Sequence, residues 1–425
     1  MSAYQLVVTY ALLFPLIFLA VRGAFSFHYT ASNNATGSDF VSLNNPETGQ
    51  GSAVHSAEML LCYGLICMAM IPLWRQLSET CLQNKLAFAL PIWAVMSALW
   101  SQEPKRSALF GLIALLNTIF ALYLPTRFNP KQQMQLFALL GLVMTVGSLI
   151  LAGVMPGAGI DHKNSMIGLE GLYPHKNICS VTTIMLMLPA FFYRFKGQSA
   201  ALKKAAYLGI GLALVIATTS RTGWLTLIAV LGFIYTVKSL RRIKKFDRLI
   251  VLWFVPGALL SIAWLIFTYK SQLLALMGKD PTLSGRTVIW QAVFSSIWKS
   301  PWLGYGYDAF WTGKGESLRL AMYAGDPALG NAENGVLQVW LELGLVGVAI
   351  LFIFLFRACL HAIRCFRANT PDHAIWYMTL VFMSVLSIIL GDKFMARHAI
   401  NWTMLILADA GLAMEARRVR NAQVA

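Results

Sequence analysis

Charge is what this sequence has least of. Only 12% of its 425 residues are Asp, Glu, Lys or Arg, while 57% are hydrophobic. A soluble domain carries roughly 25% charged residues. Half that density cannot cover a globular surface, so much of this surface must face lipid. Acidic residues are the scarcer sign, 18 against 34 Lys and Arg, which leaves a net charge of +16. In so apolar a chain the excess reads as basic loops against an anionic membrane face, not as a nucleic-acid surface. No Asp-x-Asp occurs, so the usual divalent-metal site for a nucleotide-sugar donor is missing, and no Walker-type loop is present to drive transport with ATP. The six cysteines lack zinc-like spacing and do not pair in any segment expected to be oxidised, so no disulfide is expected. His162 and His175 have no carboxylate-rich partner set, and neither a metal nor a cofactor is expected.

What is present is a succession of apolar runs long enough to cross a bilayer. They fall at 4–21, 57–74, 86–101, 107–124, 134–156, 178–193, 206–219, 222–237, 249–268, 335–356, 374–391 and 399–414. The first lacks the charged n-region and cleavage site of a signal peptide, and reads as a retained helix. The pair 206–219 and 222–237, parted only by Ser220 and Arg221, reads either as two spans or as one bent span. Charge decides between them. With the N-terminus inside, 20 of the 34 Lys and Arg residues fall in short inside segments, whereas merging the pair would place Arg417, Arg418 and Arg420 outside. The expectation is an all-α polytopic protein of about twelve transmembrane helices forming one membrane domain over 1–425. It would sit in a bacterial inner membrane with both termini cytoplasmic. Two long periplasmic loops remain. Residues 22–56, rich in Ser, Asn and Gly, read as flexible. Residues 269–334, between helices 9 and 10, carry Trp290, Trp298, Trp302 and Trp311 and read as a folded, partly helical loop holding part of a site.

Polar residues cluster toward that outer side. Ser284-Gly285-Arg286-Thr287 opens a helical pattern in which Trp290, Phe294 and Trp298 recur every four residues, predicting an amphipathic interfacial helix capped by Ser284 or Thr282. Arg286 in its first turn would grip an anion, or alternatively snorkel to headgroups. The glycines of Pro301-Trp302-Leu303-Gly304-Tyr305-Gly306-Tyr307 permit a tight turn. Asn334, Gln338 and Glu342 share one helix face, with Glu333 at its mouth. Such groups line a wet cavity or bond between helices. Arg221 sits in the tightest hairpin; His175, Lys176 and Asn177 precede the sixth span, and Arg397 and His398 the last.

Taken in order, the elements 171–177, Ser220-Arg221-Thr222, Ser284-Gly285-Arg286-Thr287 with Trp290, 301–311 and 334–347 resemble the O-antigen ligase and polysaccharide polymerase superfamily of bacterial membrane glycosyltransferases, most of all its exopolysaccharide-polymerase branch. The resemblance implies GT-C-like glycan transfer on the periplasmic face, from a glycan on undecaprenyl diphosphate to a sugar hydroxyl. Membrane lipids would surround it, and a chain-length regulator and a flippase would be further partners; nucleic acid would not. It implies that Arg221 and Arg286 hold the diphosphate; His175, Lys176, Asn177, Trp290, Asn334, Gln338, Arg397 and His398 read as substrate-binding, while Arg221, the 175–177 group and Arg397–His398 each read equally as interfacial anchors. Where the family pattern has His-Asn this chain has Glu333-Asn334, and a carboxylate can also take the acceptor's proton. The runner-up reading is a ligase acting on lipid A-core. From a different class, a secondary transporter would place its polar residues near midplane in discontinuous helices of both halves.

Overall fold

The structure, a computed structural model, describes residues 3–21, 52–161, 167–193, 197, 199–242, 286–313, 315–323, 329–368, 371–390, 395 and 400–424. It is an α-helical bundle with one two-residue ladder. In chain order the helices are α1 (Ala3–Ala20), α2 (Ser52–Met70), α3 (Trp74–Gln83), α4 (Ala89–Met96), α5 (Pro104–Arg127), α6 (Pro130–Val154), α7 (Lys176–Met187), α8 (Ala200–Ala217) and α9 (Arg221–Arg242). After them come α10 (Arg286–Ile297), α11 (Gly315–Tyr323), α12 (Gly335–Arg367), α13 (Asp372–Leu390) and α14 (Ile400–Val424). The strands β1 (Ile160–Asp161) and β2 (Gly168–Leu169) pair antiparallel between α6 and α7. Eleven of the twelve expected spans fall on these helices, and the span expected at 249–268 lies outside the described residues. Among the described residues, seven helices are long and apolar enough to cross a membrane.

Local chemistry sets the helix starts. Pro130 stands at the first position of α6, behind an Asn129–Gln132 capping box that satisfies two otherwise orphaned N–H groups. Asn334 opens α12 by accepting from Val336 and Leu337 N–H.

The pair parted at Ser220 is two antiparallel helices. Tyr207, midway along α8, donates to the Leu186 carbonyl, whereas the end of α8 lies against Gly168 and the start of α7, so α8 runs antiparallel to α7. Along α9, Gly223 lies against Ser180 and Lys238 over the Phe192 ring, so α9 runs parallel to α7. Thr219 turns the corner at φ 50°.

Helix α14 is the axis of the bundle: every residue from Asn401 to Ala413 is buried. Trp402 and Trp376 are among the largest fully enclosed side chains, and Trp402 Nε1 donates to Thr118 Oγ1 of α5 at 2.8 Å. Large apolar residues of the other helices, such as Leu112, Ile150, Ile228 and Phe352, point outward. An aqueous surface would not tolerate that density of exposed hydrocarbon; a lipid one does.

Contacts sort the connecting segments to two ends. At one end Thr126 meets Thr80, Arg417 meets Gln83, and Asp409 binds Arg357 and His361. At the other, residues 97–107 meet 303–308, and Tyr307 donates to the Met395 carbonyl.

The controlling irregularity is inside α12. Gly344 sits at φ 69°, ψ −174°, and the helical hydrogen-bond ladder breaks there. A break inside a candidate membrane span strands backbone groups, each costing about 1–3 kcal/mol if left unpaired. They are not left unpaired. Leu345 N–H donates to the Pro301 carbonyl at 2.8 Å and Val346 N–H to that of Trp302. The carbonyls of Leu341 and Glu342 accept from Tyr305 and Gly306 N–H at 3.0 and 2.9 Å, and that of Leu343 from Trp93 Nε1 at 3.0 Å. The segment 301–306 is thus a backbone patch over the break, and Gly304, at φ 70°, presses directly on Glu342.

A Cβ on residue 344 would lie 2.0 Å from the Trp302 carbonyl oxygen, at a φ that costs a non-glycine residue about 1–2 kcal/mol. Gly344→Ala should therefore strongly reduce the folded, monodisperse protein extracted in detergent and lower its Tm. Gly232→Ala, in open space on α9, should leave both unchanged or slightly improved. A wild-type Tm for Gly344→Ala would contradict this account of the break.

Candidate active site

Those of the expected site residues whose side chains the structure describes fall in two groups. The first forms where α7 and α9 begin. His175 caps α7, its Nδ1 accepting from Asn177 N–H at 3.1 Å. Asn177 Oδ1 accepts from Ser220 Oγ at 2.7 Å, and Ser220 Oγ accepts from Gly223 N–H at 3.0 Å, capping α9. One serine thereby ties two helix N-termini together. Thr219 Oγ1 donates to the Ile167 carbonyl at 3.0 Å, and Gly168 is wedged against Thr218, Thr219 and the stem of Lys176. Lys176 is buried and Arg221, the first residue of α9, half-buried. Among the described residues the Arg221 guanidinium makes no ion pair. Two helix N-termini, a lysine and an arginine converge there. Dipole and charge have the same sign there, so the corner favours an anion.

The second group surrounds the start of α12. The amide of Gln338 accepts through Oε1 from Ala332 N–H at 2.8 Å and Trp311 Nε1 at 3.1 Å, and donates through Nε2 to Glu342 Oε1 at 2.6 Å. Gln338 and Glu342 are both buried. Asn334 uses Oδ1 as the helix cap. Glu333, between these fixed residues, is half-exposed, stands at φ 49°, and gives its N–H to Asn331 Oδ1 at 2.6 Å.

Around this group the outer segment folds on a core of its own. Ile289, Val293 and Ile297 of α10 pack with Phe310, Leu320, Ala332, Leu337 and Leu341. The β-branched edge beside the aromatic stripe is therefore the buried face, because it fills the gap between α10, α11 and α12. Phe294 and Trp298 stay exposed and meet Trp340 edge-on, while the Trp290 indole nitrogen is buried without a partner among the described residues. Arg286 begins α10, but its side chain, like Ser284, Arg397, His398 and His162, lies outside the described residues.

Motif reading passed over three residues. Arg106 pairs with Asp308 at 3.1 Å and donates to its carbonyl at 2.7 Å, fixing the far end of the 301–307 patch. Only a five-residue connection between two spans marked it. Lys299 and Glu316 tie α10 to α11. The Lys299 hydrogen bond holds the Glu316 carboxyl below its usual range, and burial, with Glu316 nearby, pushes the Tyr305 hydroxyl up.

Residues 206–352 match the family model of the O-antigen ligase. That stretch includes Arg221, Arg286, Trp290, Glu333, Asn334 and Gln338, but not His175–Asn177 or Arg397–His398. The exopolysaccharide production protein ExoQ of Rhizobium meliloti (strain 1021) is 26% identical over 309 residues, 71% of this chain and 70% of that protein.

Two stability measurements check the geometry. Ser220→Ala should lower stability by about 1–2 kcal/mol, since it removes a cap and a bridge together, and Ser220→Thr should recover part of it; an unchanged Ser220→Ala would refute the joint. A folded-state pKa below the unfolded one means that the Lys299–Glu316 contribution is complete above the usual carboxylate range and lost as pH falls through the depressed value. Lys299→Ala should thus lower Tm slightly at neutral pH and not at acid pH; a Tm difference that persists in acid would contradict the assignment.

Proposed function

Proceeding from the resemblance to the O-antigen ligase and polymerase superfamily that both similarities bear out, we propose that this protein transfers a glycan from undecaprenyl diphosphate to a sugar hydroxyl outside the cytoplasm, joining polysaccharide repeat units. The observation that carries this reading is the corner where Ser220 joins α7 to α9, with Lys176 and Arg221 at two converging helix N-termini. Outside the cytoplasm no nucleotide-sugar donor is available, so the energy must arrive in a lipid diphosphate. That group leaves readily once its charge is neutralised, and fixed cations do this without a metal.

In the proposed reaction the acceptor oxygen forms the new bond to the anomeric carbon as the bond from that carbon to the diphosphate oxygen breaks. The acceptor proton passes to the Glu333 carboxylate, and undecaprenyl diphosphate departs against Arg221, Arg286 and Lys176. Attack opposite the leaving group inverts the anomeric centre. A strained backbone at Glu333 fits a residue held for chemistry rather than for packing.

The match to the O-antigen ligase model favours a second reading, transfer of finished glycan to lipid A-core by the same chemistry. A strain deleted for the protein separates them: single repeats without polymer mean polymerase, and accumulated lipid-linked long chains mean ligase. The broken helix α12 would also suit a transporter, but there the freed carbonyls coordinate cargo. Here the chain's own segment 301–306 and Trp93 take them up.

Arg221→Ala and Arg286→Ala should each cut polymer per unit of membrane protein by about 10²-fold or more. The corresponding Lys variants should keep part of it, and EDTA should have no effect. Glu333→Gln should be inactive and Glu333→His partly active. Full-length polymer from both alanine variants would exclude the diphosphate role, and full activity of Glu333→Gln the base.

A further inference from the structure

Between the patched break of α12 and the proposed base lies a side-chain relay that neither the cap nor the core requires. Gln338 occupies the first turn after the cap, buried, with every polar atom of its amide engaged. Its orientation is not arbitrary. Ala332 N–H and Trp311 Nε1–H can only donate, so the oxygen must face them, and the NH₂ must face Glu342. Glu342 is in turn anchored at the break, its carbonyl taken by Gly306 N–H. The path therefore runs from the backbone patch through Glu342 and Gln338 to Ala332, the residue immediately before Glu333.

Glu333 needs this hold. Its φ of 49° is unfavourable for any residue with a Cβ, and such a conformation persists only where its surroundings over-determine it. Asn331 holds its N–H, and Asn334, next in sequence, is fixed by capping α12. Gln338 supplies the third restraint, through the Ala332 N–H.

We propose that Gln338, held by Glu342, is a positioning residue that fixes the Glu333 carboxylate at the acceptor's hydroxyl. This rests on the reading of Glu333 as the base. It also assigns the buried stripe of α12 a role distinct from contact with substrate: Gln338 and Glu342 act through the backbone of the loop.

The relay has a chemical symmetry that makes it testable. Glutamate at 338 still offers oxygen to Ala332 and Trp311, but sets two carboxylates against each other at 342. Glutamine at 342 then restores a donor between them. Gln338→Glu should lower polymer yield per unit of membrane protein by about tenfold to 10²-fold, the cost of a displaced catalytic group. The double variant Gln338→Glu/Glu342→Gln should recover to within about threefold of wild type, since the same hydrogen bonds re-form with roles exchanged. Yields are compared in cells making their own lipid-linked repeat, with each protein quantified in the membrane and checked as monodisperse in detergent. Full activity of Gln338→Glu, or a double variant that folds yet stays as impaired as the single one, overturns the proposal. Glu333→Gln, measured alongside, separates the two readings. If it is fully active, the base reading fails whatever the relay does; if it is inactive while the exchanged pair stays unrescued, only the relay fails.

Discussion

A helix broken within an apolar candidate span has to be repaired by something, and here the repair is a loop. Lipid offers no hydrogen bonds, so the groups released at Gly344 must find partners in the protein. They find them in the backbone of Pro301, Trp302, Tyr305 and Gly306, and in the indole of Trp93. The loop and helix α12 are consequently one unit. Residues 97–107 are drawn in too: Ser97, Ser107 and Arg106 hold Tyr307 and Asp308, and Trp100 holds the Leu303 carbonyl. The described residues around the patch, α10, α11 and Ala332, pack with Leu337 and Leu341 of α12 in a second small core.

The same demand explains two further buried polar clusters. Asp409, deep in α14, is met by Arg357 and His361, and Gln133 by Tyr377 and the Phe128 carbonyl. Each is expensive in an apolar medium and each is paired. The first of these pairings ties the axial helix to α12, and the second ties α6 to α13. The corner formed by Lys176 and Arg221 differs. Its hydroxyl and amide groups are bonded to one another, and Lys176 and Arg221 stand at the starts of two helices. Cationic side chains at two helix N-termini, where the backbone dipoles are also positive, are a setting that favours an anion.

Much of this was legible in the sequence. Spans follow from apolar runs, and the separation of 206–219 from 222–237 from the placement of arginines. The shared face of Asn334, Gln338 and Glu342 follows from helical periodicity. Yet periodicity could not say that Asn334 spends its oxygen on capping α12, or that Gln338 faces a loop instead of a cavity; those depend on contacts distant in sequence. The glycines at 304 and 306 predicted a tight turn, and both adopt positive φ. Nothing local revealed that this turn would lie on Gly344, because an isolated glycine in an apolar run reads as an ordinary helix residue. In α10 the recurring aromatics marked the helix, but that its β-branched edge fills the narrow interhelical gap depends on contacts with α11 and α12.

The account stands on the patch, and amide hydrogen exchange on the detergent-solubilised protein tests it most directly. The amides of Tyr305, Gly306, Leu345 and Val346 should exchange as slowly as those of Leu351–Ala358 in the unbroken part of α12. Exchange of these four at the rate of exposed loop amides would mean that the break is open to water and the loop free of the helix, and the site could not be held as described.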